Sequence, residues 1–414
     1  MSPLRLDRGN GIGELSNYSE QGSQIYSVNI FKTASKYRYV LYLVLFAFTT
    51  IIFKVAQACY CRHWVGWFYA ISSVAIFSLA VIAGCRDNTI GTDIHVYALR
   101  TFEAAKHSES LIGGYKSVKG ISEFGYYLLN YISSIISAKF GVSLFFQSLL
   151  ITSLVFFGVK DIVGVKHIAL GMLLFNLYFY SLTLNLMRQG IAIAFVFWSY
   201  RFFQERKLHL LLLCAIIGYY LHKTSVIAYV IILALYWITS KDIKHQKRWL
   251  IISATISVLG VVLFGAILTY ITQRVPLFEK YSAYGANSAF GSALSTLDII
   301  LRLGIFTACL YLLQRRLCES RKCLVILFFL IVDIAAQLLG VYAFFTTRIG
   351  YYFFACEIIL FSSLISNSNG VSSRTKSLAN FALITFLTVY CIRMYYVKGD
   401  CATYPYTSDF LGIA

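Results

Sequence analysis

The chain is predicted to fold as an all-α, polytopic membrane helix bundle, and three observations carry that expectation. Hydrophobic residues make up 58% of the 414 and charged residues 13%, with a mean hydropathy of +0.70, a balance foreign to soluble domains. The apolar runs approach the roughly 20 residues that cross a hydrocarbon core. They also lack the period-2 alternation of barrel strands, and since a lipid-facing backbone must satisfy its own hydrogen bonds, helices remain.

Residues 1–37 read as a polar N-terminal lead-in without the short apolar core of a signal peptide. A single integral-membrane domain then covers 38–397, with a tail over 398–414. Its apolar runs fall at about 38–56, 64–83, 121–138, 142–159, 166–187, 189–203, 208–221, 223–239, 249–271, 297–313, 323–343, 349–366 and 378–397. That is about 11–13 transmembrane helices, interrupted by polar loops at 84–120 and 272–296.

The aromatic content of 17%, dense at Tyr178 to Tyr180 and Tyr351 to Phe354, fits interfacial belts and helix packing, with a few rings free to stack on sugars. The net charge of +18 implies no nucleic-acid partner, because the basic residues fall mainly in short loops between spans. Ten cysteines are scattered, and the closest pair, Cys59 and Cys61, reads as structural. No metal and no cofactor is expected, since no carboxylates cluster at ligand spacing and no Cys or His array appears.

Lys and Arg set the orientation. The connections Arg201 to Lys207, Lys241 to Arg248 and Gln314 to Lys322, with the turn holding Arg374 and Lys376, should face the cytoplasm. Arg188, Gln189, His222, Lys223, the 272–296 loop, Arg348 and the tail then converge on one outer face. Counting backwards through a crossing at 121–138 puts 84–120 inside, and Lys32, Lys36 and Arg38 favour a cytoplasmic N-terminus. If 121–138 is instead re-entrant or surface-lying, the loop flips outside.

Strongly polar residues at the seams of apolar runs mark functional positions. Arg188 and Gln189 stand between 168–187 and 190–203, and His222 with Lys223 breaks the next pair of runs. Bland readings stand beside these: Arg188 snorkelling to headgroups, His222 as a satisfied interfacial histidine, Asp93 as a cap, Arg348 as an anchor. Asp298 and Arg302, four apart, are expected to pair structurally, and Asp333 with Gln337 to form a buried polar contact.

Four segments then occur in order: Gly91-Thr92-Asp93 followed by Tyr97, Glu123 with Phe124-Gly125, Leu186 to Ala192 around Arg188-Gln189, and Leu221-His222-Lys223-Thr224-Ser225. This order resembles the EpsG-like family of Wzy-type polysaccharide polymerases, closely over about 84–230 and more loosely through Arg348, Tyr351, Tyr352 and Pro405-Tyr406. The family's proline after the glutamate is absent here, Leu221 replaces an aromatic residue, and Thr224 separates Lys223 from Ser225.

The resemblance implies a GT-C-like bundle that polymerises lipid-linked repeat units of an O-antigen, capsule or exopolysaccharide at the outer face of a bacterial plasma membrane. Donor and acceptor would be undecaprenyl-pyrophosphate-linked oligosaccharides, with a chain-length regulator and a flippase as further partners, and no nucleotide or metal would be needed. Arg188 suits the leaving pyrophosphate, helped by Lys223 or Arg348, because guanidinium stays protonated and donates two parallel hydrogen bonds. His222, Asp93 and Glu123 can serve as base or orienting group for the attacking hydroxyl. Gln189, Arg86, Tyr97 and Tyr351 complete the expected substrate contacts. A flippase or transporter of the same lipid-linked unit is the alternative, although the chain has only 3 Pro and no repeat. A ligase-type glycan transferase with another acceptor is a further one.

Overall fold

A computed structural model describes residues 38, 40–274, 296–340 and 346–413, so most of the 272–296 loop and nearly all of the lead-in lie outside the described residues. Among those described, the chain is helical with no strand, and eight helices are long and apolar enough to cross a membrane. These are Leu41–Cys61 (α1), Val65–Cys85 (α2), Phe140–Val163, Val165–Asn185, Leu297–Gln314, Ser320–Leu339, Thr347–Ser366 and Ser373–Val397. Between them in the chain stand Met187–Gln204, the shorter apolar helices Leu208–Leu221 and Ser225–Ile238, and Ile243–Arg274.

The basic connections meet at one end of the bundle. Arg206 donates to the carbonyls of Tyr236 (2.7 Å) and Thr239 (2.8 Å), Arg321 donates to the same Thr239 carbonyl, and Arg201 pairs with Asp161 at 2.6 Å. The opposite end is closed by the tail: the Tyr406 N–H donates to the Arg38 carbonyl, the Asp87 N–H to Thr407, and the Gly91 N–H to Ala402. Arg38 therefore stands at the end away from the basic connections.

The expected span at 121–138 is also corrected. The helix there is Phe124–Ile136, 13 residues and so about 20 Å long, against a hydrocarbon core of about 30 Å. It starts from the segment that the tail pins, and it hands over to a helix whose Gly141 carbonyl would lie 2.9 Å from a Cβ on Gly84, at the end of α2. Both of its ends thus belong to one end of the bundle, as in the re-entrant alternative. Its polar residues turn inward: the Ser143 hydroxyl donates to Asn130 Oδ1 at 2.7 Å, and Gln147 donates to that hydroxyl at 3.0 Å. The 84–120 loop consequently shares its end with Arg188, His222 and the tail.

Deep in the bundle, Arg302 is held between Asp333 (Nε to Oδ2, 2.5 Å) and Asp298 (Nη1 to Oδ1, 3.1 Å), and Gln337 donates to Asp333 at 3.2 Å. This is the structural pairing the spacing predicts. Both side chains of the Arg302–Asp333 pair are almost wholly buried, so removing one partner strands the other's charge. Asp333→Ala should cost about 3–5 kcal/mol, seen as a lowered melting midpoint in detergent; an unchanged midpoint would refute the role.

Candidate functional site

The helix over Val165–Asn185 stops at Leu186, whose backbone (φ −79°, ψ 58°) is not helical, and a new helix starts at Met187. Arg188 therefore sits in the first turn of Met187–Gln204. A cation there opposes the helix dipole, so its position needs another reason. That reason is Glu123, the residue just before Phe124–Ile136. Arg188 Nη1 donates to Glu123 Oε2 at 3.0 Å and to the Ile121 carbonyl at 2.7 Å, and its guanidinium lies 4.1 Å from the centre of the Tyr97 ring. Tyr97 reaches this place on a π-helical turn, Ile94–Ala98.

The second oxygen of Glu123 meets His222 Nδ1 at 2.7 Å. His222 follows Leu208–Leu221 in extended conformation, and its turn is tied to the bundle by Thr224, whose hydroxyl meets that of Tyr352 at 3.0 Å. Gly125 lets the two elements close: a Cβ there would come within 2.9 Å of the Tyr220 carbonyl. One nearly buried carboxylate thus holds a guanidinium and an imidazole, drawn from segments 65 and 99 residues away.

Burial alone would raise the Glu123 carboxyl, but the hydrogen bond and charge of His222, with the charge of Arg188, prevail and hold it down at about 2. The carboxylate is ionised at any physiological pH and can only accept. His222 Nδ1 then carries the proton shared with Glu123, and Nε2 is the ring nitrogen left to face a substrate. Since the folded value lies below the usual 4.5, this cluster stabilises the fold fully above that pH and loses the contribution as pH falls toward 2. His222→Ala should move this acid limb to higher pH in melting curves taken between pH 6 and 3. An unshifted limb would count against the Glu123–His222 pair.

Beside this cluster, Asp93 is half-buried, and burial pushes its carboxyl up against the pull of Arg348, Arg188 and a hydrogen bond with Tyr97. Its N–H donates to Asn185 Oδ1 at 3.0 Å, which also accepts from the Thr92 hydroxyl at 3.1 Å. Gly91 turns this loop at φ +98°, where a side chain would be strained and its Cβ would stand 3.0 Å from the Leu184 carbonyl. Gln189 donates to the Arg348 carbonyl at 2.7 Å.

The structure thus brings Asp93, Tyr97, Glu123, Arg188, Gln189, His222 and Arg348 together, with Lys223 exposed beside His222 and Tyr351 in an adjoining cavity. Arg86 stands apart: it is 5% exposed, donates to the Leu184 carbonyl at 2.7 Å, and lies among the tyrosines at positions 42, 126, 180 and 406, so its placement is that of a buried brace. Sequence reasoning missed Asn185, which fixes the Asp93 loop. Its signal is a polar side chain three residues before Arg188.

No curated protein and no solved structure matches the chain. The sequence model of the EpsG family matches residues 69–408, a stretch that spans well over half of the chain and holds every candidate residue above. On that match, carried through the Glu123, Arg188 and His222 segments in order, the chain belongs to the EpsG family.

Proposed function

We propose that the protein is a glycosyltransferase-type polymerase of lipid-linked oligosaccharide repeat units, acting at the outer face of a bacterial plasma membrane. The family supports a polysaccharide-polymerase role. The observation that carries the finer reading is the single carboxylate of Glu123 holding both Arg188 and His222, 3.0 and 2.7 Å away.

A hydroxyl of the incoming repeat unit attacks the anomeric carbon of the growing glycan. The new carbon–oxygen bond forms as the bond to the pyrophosphate oxygen breaks, and undecaprenyl pyrophosphate leaves with the bonding pair. The hydroxyl proton passes to His222 Nε2, with Glu123 steadying the imidazolium that results. Arg188 has one terminal nitrogen bound to protein, and its remaining N–H groups meet the pyrophosphate as charge builds there. Arg348 and Lys223 add positive charge nearby, while Asp93 and Gln189 shape the acceptor side. The energy lies in the donor's glycosyl pyrophosphate linkage, which suits a compartment without nucleotides.

The reading is tested on the surface glycan ladder of a strain deleted for the gene and complemented with wild type or variants at matched membrane levels. Collapse to single-repeat material in the deletion, restored by wild type alone, is the expected result. A normal ladder in the deletion would end the polymerase reading, and lipid-linked units trapped inside would point to a flippase.

A further inference from the structure

We propose that a chamber behind the Arg188–Glu123–His222 cluster binds the carbohydrate part of the substrate, as a subsite for a neutral, hydroxyl-rich saccharide. The proposal rests on the polymerase reading and extends it to where the sugars lie. The chamber encloses about 480 Å³, within the roughly 300–1,000 Å³ of small-ligand pockets. It shares a wall with the cluster: Asn185, which holds the Asp93 loop, also faces the chamber, as do Thr92 and Arg348.

Its chemistry is that of a sugar site rather than a phosphate site. The floor is Asp298, Arg302 and Gln337, and Arg302 is already spent on Asp298 and Asp333, so no unbalanced cation waits there for an anion. Asp298 accepts from the Tyr390 hydroxyl at 2.9 Å, which mixes fixed donors and acceptors at one surface. Beyond that paired floor, the charged residues lining the chamber are Arg348 and Lys398, the latter beside Asp400. Phosphates would thus stay with the cluster while rings enter the chamber.

The walls are shaped for side chains that ordinary helices would aim elsewhere. Tyr178 lies on the π-helical turn Asn176–Tyr180, and Met394 and Tyr395 on the π-helical turn Ile392–Val397. Such widened turns are uncommon and recur at functional sites, and here two of them line one cavity. Tyr351 adds a further ring and hydroxyl from the helix that carries Arg348.

The test uses the full chain purified in detergent and two probes: the repeat-unit oligosaccharide freed of its lipid pyrophosphate, and farnesyl pyrophosphate. Met394→Trp, which fills the chamber, and Tyr351→Phe, which removes one hydroxyl and keeps the ring, should each weaken oligosaccharide binding about tenfold or more. Farnesyl pyrophosphate binding should stay within about twofold in both, and Arg188→Ala should show the reverse pattern. Oligosaccharide affinity unchanged in both folded variants, or no oligosaccharide binding by wild type, would overturn the chamber. Farnesyl pyrophosphate binding indifferent to Arg188→Ala would count against the polymerase reading and leave the chamber result standing.

Discussion

Arg188→Ala should lower polymer formation by about 100-fold to 1,000-fold, the scale on which one preorganised charge donor stabilises a developing anion. The loss should appear in membrane vesicles supplied with lipid-linked repeat units, with the variant present at wild-type levels. Arg188→Lys should recover little, because an ammonium cannot both hold Glu123 and the Ile121 carbonyl and present a planar pair of donors to pyrophosphate. Activity of Arg188→Lys near wild type would show that charge alone is needed and would remove the clamp from the mechanism.

Glu123→Gln is the second large effect. The amide keeps the shape but loses the charge that steadies an imidazolium and neutralises Arg188, so the rate should fall by about 100-fold or more, near that of His222→Ala. Because the carboxylate acts through both partners, the losses should not add: Glu123→Gln combined with His222→Ala should be little worse than the worse single change. Additive losses in that cycle would mean that the carboxylate and the imidazole work apart, and the proposed proton path would fail.

Much of the helical layout is legible in the sequence, and Leu208–Leu221 matches its expected bounds residue for residue. The failure at 121–138 has a physical cause. Composition sees an apolar run with a few small polar residues, whereas the structure turns Asn130 and Ser133 inward and stops the helix at Ile136. Hydropathy counts apolar residues but not which side buries them, so a helix about two-thirds of the needed length whose polar groups find partners reads like a full span. At the site, Arg188 and His222 announce themselves as polar residues at the seams of apolar runs. Glu123 does so only through the order of motifs, because the contacts that give it meaning join residues far apart in sequence. Arg86 reads like a ligand-binding cation for the same reason: nothing local foretells the tyrosines around it.

The segment from Ala402 to Asp409 comes after every described helical pass, yet it grips Arg38 just ahead of α1 and the loop at Asp87 and Gly91. Synthesis runs from the N-terminus, so the Asp93 loop waits without its fastening while the later helices insert. Fastening of the Asp93 loop therefore waits until the last described helix has been made, and a chain stalled before that point would carry Arg188 and His222 beside a loop left untied.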